Sequence, residues 1–199
     1  MIKERGKTEA LIKQILRDEF LALEPTRYAL SESMGDSECE LTISVGTSGA
    51  SNHTIDIVGR GVGFVDALHH GLLGHFAREY PSLKTLNVTS FEVRGNMATG
   101  HDQGTDAEVE VVLSVTNSEA EKFIFQTGAR SLVAATCTVV FEMAEYFINS
   151  ERAYITLYRA VEDARERNRQ DLVESYQSQM AEVVKSTSYS DVIEALKKH

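Results

Sequence analysis

Three glycines at alternate positions precede a segment that has helical periodicity. Gly59, Gly61 and Gly63 stand directly before residues 63–80, in which apolar side chains recur at helical spacing. Glycine can adopt positive φ angles, and because it has no Cβ another group can approach its backbone closely. A helix that begins here directs free N–H groups and the positive end of its dipole towards the turn. The pattern therefore favours a binding site for a small anion, such as a carboxylate.

Two other interpretations of the glycines need to be weighed. The spacing differs from G-x-G-x-x-G, and the strands that follow have the alternation of antiparallel strands. A dinucleotide-binding βαβ unit therefore does not fit the context. A tight turn with a purely structural role stays open as the alternative to ligand binding.

Hydrophobic periodicity divides the rest of the chain into helices and short strands. Residues 7–23 carry apolar side chains on one helical face, and Pro25 is expected to end that helix. The six predicted strands cover 27–34, 39–45, 52–58, 85–95, 106–115 and 122–128. The strand at 106–115 alternates apolar and acidic residues, which predicts an antiparallel strand with one buried face. Helices at 63–80 and 131–149 follow the third and the sixth strand.

The order of three strands and a helix occurs twice. The two predicted helices begin at positions 63 and 131, and the same offset places 64–67 on 132–135. This repetition indicates an internal duplication. We therefore predict an α+β fold of two βββα repeats, at 26–81 and 82–149.

Additional helices are predicted at both ends of the duplicated region. An N-terminal helix lies within 1–25, and residues 150–199 form a helical extension, with a final short helix after a break at 186–188. The extension has only a narrow apolar stripe, which is typical of a helix that packs on one partner. Docking on the same chain is favoured over coiling between subunits.

Composition excludes several classes of partner. The net charge is −10, from 30 acidic and 20 basic residues, which disfavours nucleic acid and anionic membrane surfaces.

No secretion signal precedes the first helix, so Cys39 and Cys137 are expected to be free thiols in the cytoplasm. His69 and His70 are adjacent on a helix and point about 100° apart, so they cannot share a metal ion. We expect no cofactor and no metal.

Two motifs together resemble a known regulatory domain. The sequence G-x-G-x-G-x-V-D-A-L at 59–68 and the sequence G-T-D-A at 104–107 resemble the C-terminal regulatory domain of 2-isopropylmalate synthase. Citramalate and related synthases share this domain. The resemblance covers residues 27–149, and S-L-V-A-A-T at 131–136 also follows the apolar–small pattern of the family.

The resemblance implies a fold, a ligand and a dimer. Two βββα units related by a pseudo-twofold axis form a homodimer, which holds a feedback inhibitor, leucine or isoleucine, near the subunit interface. The backbone N–H groups of Gly61, Val62 and Gly63 would bind the carboxylate of a branched-chain amino acid. Asp66 would either cap the first helical turn or pair with the α-amino group.

The remaining candidate residues complete this expected site. Ala67 and Leu68 would border the apolar side chain of the ligand, and the turn at 128–131 would supply a second half-site. The candidate effector-binding residues are Gly59, Gly61, Val62, Gly63, Asp66, Ala67, Leu68, Gly104, Thr105, Asp106, Gly128 and Ser131. The substitution Gly61→Val is expected to abolish ligand binding while sparing the fold.

The chain also departs from the family. Phe64 stands where the family has proline, and catalysis in the parent enzymes belongs to an N-terminal barrel with a divalent metal. Such a barrel needs about 250 residues, whereas only residues 1–25 precede the first predicted repeat. We therefore expect a free-standing, non-catalytic effector-binding and dimerisation domain. The alternative is a subunit that associates with a catalytic synthase chain and binds no ligand.

Overall fold

Two groups of three antiparallel strands, each followed by a helix, make up most of the chain. The computed structural model describes residues 2–33, 35–49, 53–95 and 108–184. The α-helices of these residues are α1 (Ile2–Leu16), α2 (Phe64–Phe76), α3 (Leu132–Glu166) and α4 (Gln170–Val184). The strands are β1 (Ala22–Ser33), β2 (Glu38–Ser48), β3 (His53–Gly61), β4 (Asn87–Gly95), β5 (Val109–Thr116) and β6 (Lys122–Ala129). Short 3₁₀ helices lie at Arg17–Glu19 and Pro81–Thr85.

The strands form two separate three-stranded sheets, in the orders β1-β2-β3 and β4-β5-β6. Every neighbouring pair is antiparallel. Helix α2 packs on the first sheet and α3 on the second. The predicted α+β fold of two βββα units is therefore confirmed. Helices α2 and α3 begin at Phe64 and Leu132, which reproduces the offset predicted between the two helix starts.

The alternation of strand β2 builds the core of the first unit. Its core-facing side chains are Cys39, Leu41, Ile43, Val45 and Thr47, all buried. They lie under the apolar side of α2, where Leu68 and Leu72 are fully buried. Successive side chains of a strand point to opposite faces, so one face of β2 is covered and the other is half exposed.

Strand β5 is buried on both faces, which corrects the prediction of one buried face. Val111, Leu113 and Val115 point to α3, but Val112 and Ser114 on the opposite face are only 8% and 3% exposed. As the central strand, β5 has a neighbour on each side. Val112 pairs with Glu92 of β4 on one side and with Gln126 of β6 on the other. The longer side chains of these two neighbours shield Val112 from solvent.

The predicted helix over 7–23 begins and ends too late, since α1 covers Ile2–Leu16. Helix α1 ends at Leu16, because Arg17 adopts a positive φ of 49° that no α-helix accommodates. Pro25 does not end a helix; it lies inside β1. Proline is tolerated there because β1 is an edge strand and its pairing with β2 shifts register immediately after Pro25.

Helix α3 crosses the predicted boundary at residue 150 without a break. Its buried face continues through Ala153, Tyr154 and Leu157, so the second repeat and the extension share one helix. Helix α4 returns along α3, and Val173 packs with Val161 of α3. Buried Val183 of α4 belongs to the main core, so the described part of the extension packs on its own chain. The predicted final helix falls in 185–199, outside the described residues.

Helix α3 is also long and apolar enough to span a membrane by length and composition. However, 67% of its most apolar window is buried inside the fold. This burial is typical of the central helix of a water-soluble domain, so the helix supplies no positive evidence for a membrane location.

Candidate functional site

The first two glycines belong to a strand rather than to a turn. Strand β3 extends to Gly61, beyond the predicted end at residue 58, and both Gly59 and Gly61 pair with β2. Only Val62 and Gly63 connect β3 to α2. The predicted position of the glycines between strand and helix is therefore wrong for two of the three.

Their backbone angles and surroundings also differ from the prediction. Among the described glycines only Gly49 has a positive φ. A Cβ on Gly59 would lie 1.9 Å from the Ala67 carbonyl oxygen, and a Cβ on Gly61 would lie 2.4 Å from Asp66 Oδ2. The group that approaches these glycines closely is thus helix α2. The expectation that Gly61→Val spares the fold is wrong for the same reason.

The close approach of α2, which accounts for Gly59 and Gly61, does not account for Gly63 within the described residues. It is the N-cap of α2 and has an extended backbone, with φ −173° and ψ 175°, that any residue can adopt. A Cβ built there would meet no atom within 4 Å. No side chain caps the start of α2 at this position. The space beside Gly63 is consequently open to a group from outside the domain.

The Asp66 side chain holds the connection between β3 and α2. Its Oδ2 accepts a hydrogen bond from the Val62 N–H at 3.1 Å and lies 3.6 Å from His70 Nδ1. The same nitrogen of His70 is 3.1 Å from the Arg60 carbonyl oxygen, to which it donates. This bond is to a residue that precedes α2, so neither of the two roles considered for Asp66, capping the first helical turn or pairing with an α-amino group, is tested by it. Asp66 also uses the Val62 N–H that was assigned to the carboxylate of the ligand.

The other residues assigned to the first half-site divide into two groups. Instead of bordering an open pocket, Ala67 and Leu68 are 0% and 1% exposed in the core, so neither presents surface to a ligand. Gly104, Thr105 and Asp106 lie outside the described residues. Their part in the effector site therefore stays a prediction from the sequence.

The second half-site lacks the close packing of the first. Gly128 is an exposed residue of β6, and Ser131 caps α3, with its Oγ accepting from the Ala134 N–H at 3.3 Å. At the offset between the two repeats, Thr127, Ala129 and Ser131 correspond to the three glycines. The close approach of strand and helix through glycine thus belongs to the first unit, and the two half-sites are not equivalent.

Nucleophilic and metal chemistry find little support in the described residues. Cys39 and Cys137 are free and buried, as expected, and burial raises the pKa of the Cys137 thiol to about 11. Burial, followed by the charge of His70, lowers the pKa of His69. No group of three or more His, Cys, Asp or Glu side chains in this part of the chain could hold a metal ion.

The edge strands expose apolar side chains that the sequence did not single out. Tyr28 and Leu30 of β1 are 44% and 38% exposed, and Val88 and Val93 of β4 are 45% and 46% exposed. By register they lie on the core side of their sheets. There α2 packs on β2 and β3, and α3 packs on β5 and β6 and also contacts part of β1. We call these four residues the edge-strand side chains. The alternation of Tyr28 and Leu30 was visible in the sequence, whereas Val88 and Val93 share a face only because the register with β5 shifts after Val88.

Comparison with known proteins adds no relative. No model of a known protein family matches the chain, and no curated protein is similar enough to it to count as a match. The resemblance of 59–68 and 104–107 to the synthase regulatory domain therefore stays a prediction from the sequence. What the chain does has to be inferred from its residues and their geometry.

Proposed function

We propose that this chain is a cytoplasmic effector-binding and dimerisation domain, similar to the regulatory domain of 2-isopropylmalate synthase and without catalysis of its own. It associates with a second copy of itself through the edge-strand side chains. It binds a branched-chain amino acid, of which leucine is the first candidate, at the β3–α2 connection. Two buried free thiols are compatible with a reducing compartment.

The observation that carries the proposal is the repetition of exposed apolar side chains on equivalent strands. Single apolar residues on a surface need no explanation. Here the equivalent strands β1 and β4 each expose two apolar side chains on the core side of their sheet, Tyr28 and Leu30 on β1 and Val88 and Val93 on β4. Burying the exposed part of each side chain would contribute about 1 kcal/mol. Association of two copies would therefore cover a face that each copy leaves open.

The geometry of the β3–α2 connection supports the proposal that an amino acid binds there. The open space beside Gly63 and the uncapped start of α2 can take a carboxylate, which the N–H groups and the helix dipole stabilise. Asp66 uses Oδ2 to accept from Val62, while its Oδ1 has no hydrogen-bond donor among the described residues. The carboxylate of Asp66 is thus available to the ammonium group of an amino acid.

Isothermal titration of the chain with leucine, isoleucine and valine tests the ligand. We expect a saturable, stereospecific signal, and at least tenfold weaker binding in Gly63→Thr. Threonine caps a helix about as well as glycine and fills the open space, so the fold is retained. Gly74→Thr, at an exposed position farther along α2, is the matched control and should bind normally. If none of the three amino acids gave a heat of binding, the proposal that the chain binds a branched-chain amino acid would be contradicted.

Light scattering tests the dimer. We expect a particle of twice the 22.1 kDa chain mass, and Tyr28→Lys, which places a charge among the edge-strand side chains, should yield monomers. A monomeric wild-type chain at micromolar concentration would contradict this part of the proposal.

The alternative is a partner subunit that binds no ligand and associates with a catalytic synthase chain. Two observations favour it: packing against α2 accounts for Gly59 and Gly61, and Asp66 already accepts from Val62. Co-purification with a barrel-containing synthase, together with a silent leucine titration, would support this alternative over the effector domain.

A further inference from the structure

A cavity of about 310 Å³ lies at the C-terminal end of α2. Helix α2 has 13 residues, so this cavity is about 18 Å along the helix from the connection at Gly63. Its apolar lining consists of buried Phe76 and half-buried Leu21 and Ile55. Its polar lining residues are Thr47, Ser48, His53, His75, Glu79, Tyr80 and Arg152. The volume lies at the lower end of the range for small-molecule sites, which suits a ligand of few atoms.

Arg152 of α3 lines this cavity without a partner. It is half-buried, and its guanidinium makes no hydrogen bond or ion pair with a described residue. The neighbouring Glu151 is not its partner, because that carboxylate accepts from the Ser82 N–H at 3.1 Å. The other half-buried arginine, Arg5, donates to the Ile124 carbonyl. Arginines that pair with a carboxylate are Arg60, Arg94, Arg165, Arg167 and Arg169.

The unpaired guanidinium of a half-buried arginine can take an acceptor from outside the chain. Arginine carries five N–H donors, and burial without acceptors is unfavourable. The planar group can donate two parallel hydrogen bonds to one carboxylate. Arg152 therefore supplies the recognition element for an anion, in a cavity that is partly lined by apolar side chains.

Glu79 and Tyr80 limit the charge that the cavity accepts. The Tyr80 hydroxyl donates to Glu79 Oε1 at 2.8 Å, and burial, followed by this bond, raises the pKa of Tyr80 to about 12. Tyr80 is consequently neutral at physiological pH, and the Glu79 side chain to which it donates lies in the cavity lining. A carboxylate there offsets the attraction of Arg152 for a second negative charge on the ligand.

From this arrangement we propose that the cavity binds a small monocarboxylate with a short apolar chain. The carboxylate accepts from Arg152, and the chain lies against Leu21, Ile55 and Phe76. This site is separate from the β3–α2 connection, so the inference stands whether or not an amino acid binds there.

The test uses 3-methylbutanoate as the probe and the full chain with labelled methyl groups. We expect saturable NMR shifts of the Leu21 and Ile55 methyl signals. The neutral amide of the same shape and inorganic phosphate should each bind at least tenfold more weakly. Equal binding of the amide, stronger binding of phosphate, or the absence of saturable shifts would overturn the proposal, and none of these comparisons needs a variant.

Variants then locate the binding. Arg152→Gln should weaken 3-methylbutanoate binding at least tenfold, whereas Arg159→Gln, the same change at an exposed position of α3, should leave it unchanged. Gly63→Thr should also leave it unchanged, even if leucine binding is lost. Loss of the shifts in Gly63→Thr with retention in Arg152→Gln would place the ligand at the other end of α2 and overturn the cavity proposal.

Discussion

The packing of α2 on β3 makes Gly59 the most sensitive position of the first unit. A Cβ added at Gly59 would lie 1.9 Å from the Ala67 oxygen, 2.8 Å from the Ala67 carbonyl carbon and 2.9 Å from the Gly71 nitrogen. All three are backbone atoms, so no side-chain rotation can relieve the contact. Restoring an ordinary contact of 3.4 Å to the oxygen requires β3 and α2 to separate by about 1.5 Å.

The size of the effect follows from this separation. Overpacking of a core costs about 1–3 kcal/mol when side chains and backbone can adjust. In Gly59→Ala the whole helix must move, and buried Leu68 and Leu72 lose part of their contact with the sheet. We therefore expect a loss of at least about 3 kcal/mol, a large share of the roughly 5–15 kcal/mol typical of a domain.

Urea unfolding followed by circular dichroism measures this loss. The matched control is Gly74→Ala on the same helix, where a Cβ meets nothing within 4 Å. Alanine is the better helix former by about 1 kcal/mol, so the control should be stabilised slightly. If the free energy of unfolding of Gly59→Ala stayed within about 0.5 kcal/mol of wild type, the range of ordinary surface substitutions, the steric account of the glycine would be refuted.

Two further predictions concern buried polar groups of α3. Asn149→Ala should cost about 2 kcal/mol or more in denaturant unfolding, because Asn149 accepts from the Leu21 N–H at 2.9 Å and donates to the Leu21 oxygen at 2.7 Å; a loss below about 1 kcal/mol would argue against it. Burial raises the pKa of Glu151 above its ordinary 4.5, so the fold favours the uncharged acid. Wild-type stability relative to Glu151→Gln should therefore fall as pH rises from 4.5 through the raised pKa. A difference that stays constant with pH would contradict this.

Local patterns in the sequence determined the elements and their repetition. The alternation along β2 and the helical spacing of α2 and α3 indicate which face each element buries, since both periods are properties of the local backbone. The constant offset between the two helix starts was visible for the same reason. The glycines before α2 indicated that some group approaches the backbone closely, but they did not indicate which group it is.

The tertiary structure alone decided the identity of that group and the places where distant residues meet. Local periodicity does not reveal that α2 fills the space beside Gly59, or that β1 is an edge strand with Tyr28 uncovered. Leu21 and Asn149 are 128 residues apart in sequence, yet their hydrogen bonds hold the chain where β1 begins. Contacts of this kind depend on how whole elements pack, because neither partner carries a local signal of the other.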